Sequence, residues 1–130
     1  MAYVKLSNGL VTAVTNDPND LLAPSDAAVG WVFDGVTFWS SAQALELATA
    51  TAIQRYLDGV AIRTGYDNAW SCVSYWNSRS EKRATHAQLF SAHRDDVWDT
   101  VEAYEWDVLA GVRAPIPPEH LLDELPKAPW

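Results

Sequence analysis

The stretch Gly30-Trp31-Val32-Phe33-Asp34-Gly35-Val36-Thr37-Phe38-Trp39-Ser40-Ser41 is where the hydrophobic period of this chain changes. Up to Trp39 it reads as two short β-rich runs joined by Asp34-Gly35, a pair suited to a two-residue hairpin turn. Beyond Ser40-Ser41 the apolar residues Leu45, Ala48, Ala52, Ile53, Tyr56, Leu57 and Val60 recur at helical spacing, and Ser is a good N-cap. The fold class expected is therefore α+β. A small antiparallel β unit of two hairpins (residues 1–40) precedes an antiparallel helical hairpin or bundle with one long helix (41–126), and 127–130 form a tail.

Working toward the N-terminus, Tyr3-Val4-Lys5-Leu6 and Leu10-Val11-Thr12-Ala13-Val14 flank Ser7-Asn8-Gly9. Asn-Gly supplies the positive φ angles of a type I′ turn, so these runs form the other hairpin. Residues 15–20 are turn formers, and the linker through Pro24, Ser25 and Asp26 has no period, so it is expected to be loop.

Working toward the C-terminus, the first helix should run to about Arg63, with Gly59 costing it about 1 kcal/mol relative to Ala. Gly65 fits a helix C-terminus, and Asp67 is placed to cap a short segment bearing Ala69, Trp70, Val73 and Tyr75. After a break at 77–80, one long helix is expected over 81–112, with Ala87, Phe90, Val97, Val101, Tyr104, Val108 and Val112 as its apolar stripe. The prolines at 115, 117 and 118 end it. A last short helix over 119–124 would bring Leu121, Leu122 and Leu125 back onto the body.

The 130 residues include 17 Asp and Glu against 9 Lys and Arg, a formal charge of −8, together with 7 Trp. This size suits one independently folded domain with its own core. The largest basic cluster, Arg79, Lys82 and Arg83, is followed by Asp95, Asp96, Asp99, Glu102, Glu105 and Asp107 on one expected helix. Such a belt repels phosphate, so no nucleic acid partner is expected, and no apolar run is long enough for a membrane span. The first residues lack a basic segment followed by an apolar core, and the chain is expected to stay in the cytosol in which it is made. Cys72, the one cysteine, reads as a small buried apolar residue.

No nucleophile elbow, phosphate loop, dinucleotide fingerprint or metalloprotease motif occurs. His86 and His93 are seven apart on one helix, too far to share a metal without other ligands, so neither metal nor cofactor is expected. Arg94 is expected to pair with a carboxylate while its stem packs. Carboxylates three or four apart on a helix are surface neighbours rather than a dyad facing across a cleft, and the belt reads as a solvated face or a protein-binding edge. Tryptophan buries a large area and marks binding hot spots. The candidate partner-binding residues are Trp31, Phe33, Trp39, Trp98, Glu102, Trp106 and Trp130, and no catalytic residue is expected.

Two groups of short motifs carry a resemblance. The first is Ala52-Ile53-Gln54-Arg55-Tyr56-Leu57-Asp58, Arg63-Thr64-Gly65-Tyr66-Asp67-Asn68 and Ser71-Cys72-Val73-Ser74-Tyr75. The second is Ala92-His93-Arg94-Asp95-Asp96-Val97-Trp98, Tyr104, Val108-Leu109-Ala110, Ile116-Pro117-Pro118, Glu119 and Leu121-Leu122-Asp123-Glu124-Leu125-Pro126. In this order they resemble a segment of small tail and tail-fibre module proteins of tailed bacteriophages, whose pattern is similar to IQxxLD, RGYD, WRDAVW and a Pro-rich exit before ELP. His93 stands where that family has an aromatic residue, Thr64 where it has arginine, and Asp96 where it has a small residue. The segment 30–38 is similar to a W-x-x-D-G-x-x-F hairpin at the start of many tail-fibre assembly chaperones and tail accessory proteins.

The resemblance implies a non-enzymatic structural protein of the virion tail, made in the host cytoplasm and bound to a tail-fibre, tailspike or baseplate subunit or to further copies of itself. The alternatives are a tail-fibre assembly chaperone, a small glycan hydrolase using Asp99 with a loop carboxylate, and an acidic inhibitor that mimics nucleic acid.

Overall fold

The computed structural model describes residues 1–130. It is α+β, with five antiparallel strands followed by helices: β1 (Ala2–Ser7), β2 (Leu10–Thr15), β3 (Leu21–Ala23), β4 (Val32–Phe33), β5 (Phe38–Trp39), α1 (Ala42–Arg63), α2 (Ala69–Val73), α3 (Glu81–Leu109) and α4 (Pro118–Leu121), which runs into a 3-10 turn over Leu122–Glu124. The two hairpins form one sheet of order β3-β1-β2-β4-β5.

Asn8 and Gly9 both have positive φ, 49° and 82°, as a type I′ turn requires, and the register Ser7↔Leu10 follows from it. One residue further along, the register slips between Lys5 and Leu6, leaving Thr12 as the extra residue on β2. β3 lies inside the stretch expected to be loop. It pairs Ala2↔Ala23 and Val4↔Leu21 along the free edge of β1, and three residues are too few to show a period of their own.

The second hairpin corrects the expected two-residue turn. Val32↔Trp39 and Phe33↔Phe38 pair, so the loop is the four residues 34–37. The cause is Asp34, only 2% exposed, whose Oδ1 accepts from the Val36 and Thr37 amides at 2.9 and 2.7 Å and whose Oδ2 accepts from Trp39 Nε1 at 2.8 Å. These bonds hold Val36 and Thr37 out of the strand.

Ser41 caps α1 by accepting from the Ala44 amide, and Ser80 caps α3 by accepting from that of Arg83. α2 is capped by Asn68, one residue beyond the expected Asp67, through acceptance from the Ser71 amide at 2.8 Å. α3 ends at Leu109, short of the expected 112. Gly111, at φ +74°, lets the Gly111 and Val112 amides turn back to the Val108 and Asp107 carbonyls, a Schellman closure. Val112 is thereby left 73% exposed and out of the stripe.

The cores are two. Val4, Val11, Ala23 and Ala27, with Trp31 and Phe38 against them, fill the sheet. Ile53, Leu57, Val60, Ala61, Ala69, Cys72, Phe90, Val97, Val101, Tyr104 and Leu121 fill the helical unit. Of the expected tail 127–130, Ala128 and Trp130 pack onto that second core: Trp130 donates Nε1–H to the Val60 carbonyl at 2.7 Å and stacks on Phe90. No helix is long and apolar enough to cross a membrane.

Candidate functional site

The sheet and the helices meet along a cleft of about 410 Å³. Its walls follow from local spacing. Ala42, Leu45, Glu46 and Thr49 are one face of the first two turns of α1, and Tyr104, Glu105, Val108 and Leu109 come from the last two turns of α3. Leu10 and Val32 close it from the sheet, and Pro115 from the proline-rich exit of α3. The Asn8-Gly9 turn sits against that exit so tightly that a Cβ on Gly9 would lie 2.8 Å from Pro115 Cδ.

Of the polar side chains in the walls, which also include Ser7 and Asn8 at the hairpin turn, two are engaged within the chain. Thr49 donates to the Leu45 carbonyl at 2.9 Å, and the Tyr104 hydroxyl accepts from the Ile116 amide at 3.0 Å. The carboxylates of Glu46 and Glu105 are not, since the only ion pair in the molecule joins Arg113 to Glu124. That pair is bidentate, 2.8 Å at each oxygen, with the guanidinium 4.8 Å from the Tyr104 ring. Glu46 and Glu105 are both exposed residues, yet the Glu105 carboxyl is held above the usual carboxylate range, first by partial loss of hydration and then by the negative charges of Glu46 and Glu102. The cleft therefore has apolar walls and two mutually repelling carboxylates, an environment that favours a cation attached to an apolar body.

The expected partner-binding residues are divided by the fold. Trp31 packs against the sheet core, Phe33 stacks on Phe38 with centroids 4.6 Å apart, and the Trp39 indole is tied to Asp34. Trp98 packs against the helical core and Trp130 is built into it, so both indoles serve the chain's own interior. Glu102 and Trp106 remain exposed. Trp106 is 70% accessible, one turn before Leu109 at 78%, on the same face of α3 as Asp95, Asp99 and Glu102.

The structure brings Glu105, taken above only as part of the belt, together with Glu46, which sequence reasoning passed over. Their spacing of 59 residues carries no local signal. It also leaves Trp70 as the most exposed indole, at 79%. Arg94 makes no ion pair, contrary to expectation: Asp95 and Asp96 are one and two residues away and point off its face of the helix, and positions 90, 91, 97 and 98 carry no carboxylate. The neighbouring His93 is the buried one, with Nε2 2.9 Å from the Tyr56 hydroxyl. His86 meets the Tyr66 hydroxyl at 2.9 Å from Nδ1. Cys72 is fully buried, which pushes its thiol up. No group of three or more His, Cys, Asp or Glu is arranged to hold a metal ion. No protein-family model, curated protein or solved structure matches the chain.

Proposed function

We propose that the protein acts without catalysis, by holding in its sheet–helix cleft a protein segment that carries a Lys or Arg beside apolar side chains. The observation that carries this reading is the pair Glu46 and Glu105, unmatched by any cation of the chain and set among apolar walls. An incoming cation relieves their repulsion, and its apolar flank extends over Leu109, an exposed residue of the cleft wall, and Trp106, exposed one turn earlier on α3.

The narrower form of the proposal is that the segment belongs to a tail-fibre, tailspike or baseplate subunit of a tailed bacteriophage, and that the protein is a structural part of the virion tail. It is supported by the sequence resemblances over residues 52–126 and, more briefly, 30–38. A tail-fibre assembly chaperone would use the same cleft and leave before maturation.

Co-expression with each such subunit, followed by size-exclusion chromatography, tests both forms. A stoichiometric complex is expected, weakened at least tenfold in Glu46→Gln/Glu105→Gln and unchanged in Asp95→Asn. A complex indifferent to the double substitution overturns the role of the cleft. Failure to bind any of these subunits, with absence of the chain from purified particles, overturns the tail assignment. Binding combined with absence from particles selects the chaperone.

A second reading is favoured by one observation. Two carboxyls sharing a cleft, one of them with raised proton affinity, also suit glycoside hydrolysis. Asp99, the residue first considered for that role, stands instead on the exposed face of α3. Release of reducing ends from bacterial surface glycans by the wild type and by neither Glu46→Gln nor Glu105→Gln would establish hydrolysis in place of binding.

A further inference from the structure

A second cavity, of about 390 Å³, lies at the opposite end of α3, where the first turns of that helix meet the turn after α1 and the end of α2. Lys82 and Glu105 are 23 residues apart on α3, or roughly 35 Å, so this cavity is separate from the cleft. Its character is also opposite. The walls are mostly polar, and Lys82, Arg83 and His86 face Tyr66, Asp67 and Tyr75.

Three features make this more than a patch of surface charge. First, neither Lys82 nor Arg83 is in an ion pair, although the chain carries 17 Asp and Glu against only 9 Lys and Arg. Asp67 is the one carboxylate in the wall, and it leaves the cavity net positive. Second, the aromatic groups fix one another: Arg83 lies 5.6 Å from the Tyr75 ring centroid, Tyr75 lies 5.6 Å from Tyr66, and Tyr66 meets His86 edge-on at 5.8 Å. Third, the Tyr66 hydroxyl and His86 Nδ1, 2.9 Å apart, share one proton between them. If the hydroxyl donates, His86 keeps an Nε2–H; if Nδ1–H donates, the hydroxyl keeps its own proton. In either tautomer the pair retains one neutral donor.

We propose that this cavity binds an oxyanion, a phosphate or carboxylate group of a small ligand. Lys82 and Arg83 supply the charge, and the Tyr66–His86 pair supplies a neutral hydrogen bond. Arg83 is the residue suited to a two-pronged contact, and its position over Tyr75 limits the side-chain freedom that binding would otherwise remove.

The test is an amide NMR titration of the full chain with sodium phosphate, and separately with sodium acetate, at ionic strength held constant with sodium chloride. Saturable shifts confined to residues 64–67, 75 and 80–86 are expected. Affinity should fall at least tenfold in Lys82→Ala/Arg83→Ala, whose exposed positions leave the fold intact, and should stay unchanged in Lys127→Ala. Saturation by both anions assigns a general oxyanion site, and saturation by phosphate alone assigns a phosphate site. Shifts that fail to saturate, spread over the molecule, or persist in the double variant overturn the proposal. Tyr66→Phe separates the neutral donor from the charges: a loss smaller than that of the double variant is expected, and an unchanged affinity removes the Tyr66–His86 pair from the site.

Discussion

Tyr104 joins four parts of the molecule through one side chain. Its ring fills the helical core, lines the cleft and lies beneath Arg113, and its hydroxyl accepts from the Ile116 amide, securing the exit from α3. Tyr104→Phe keeps the ring and leaves that amide without its acceptor, at a cost of about 1–3 kcal/mol in urea unfolding. His93 makes a pH-dependent contribution. Burial, with help from Arg63 and against Asp96, holds its imidazole below the ordinary value of 6.5. The folded chain therefore keeps His93 neutral at pH values where the unfolded chain protonates it. The stability it contributes is full above 6.5 and is lost as the pH falls through 6.5 toward the depressed folded value. Unfolding of the wild type and His93→Gln from pH 8 to 5 should show the wild type losing more stability over that interval. Apolar stripes were legible from spacing, but burial of His93 beside half-buried Arg94 was not, since which of two adjacent polar residues turns inward depends on what faces the helix.

Among the elements, the Asn8-Gly9 hairpin and α1 are the parts most completely written in local sequence. A positive-φ pair sets the turn, and a serine cap with helical spacing sets the helix, without help from the rest of the chain. The same turn nevertheless has a tertiary duty. A Cβ on Gly9 would lie 2.7 Å from the Phe33 carbonyl oxygen and 2.8 Å from Pro115 Cδ, at a φ of +82°. Gly9→Ala is expected to cost about 2 kcal/mol or more, combining backbone strain with these clashes, and to lower the thermal midpoint by several degrees. By contrast, β3 and the Asp34 loop were beyond local reading. One is a three-residue edge strand created by its partner, and the other is set by a carboxylate that gathers three donors.

At the scale of the whole molecule, negative charge is distributed unevenly in its consequences. Every carboxylate residue of the α3 belt is exposed, but Glu105 also lines the cleft with Glu46, and its raised carboxyl has a sign that can be checked. The stability linked to a raised acid is present below the ordinary carboxyl range and is lost as the pH rises through the folded value. Glu105→Gln should therefore gain in thermal midpoint relative to wild type between pH 4 and 7, while weakening any cationic partner of the cleft. A midpoint difference that is flat or falls over that range would show that the carboxyl is not strained by its surroundings. The sequence by itself determined the α+β order, the hairpin turn, both long helices, the serine cap of α1 and the proline-rich exit, because each depends on residues within a few positions of one another. Only the tertiary structure decided that the two hairpins share a sheet, that Trp98 and Trp130 turn inward while Trp106 stays out, and that Glu46 and Glu105 line one cleft. Those outcomes depend on which surfaces are packed together, and residues 59 or 70 positions apart carry no local trace of that packing.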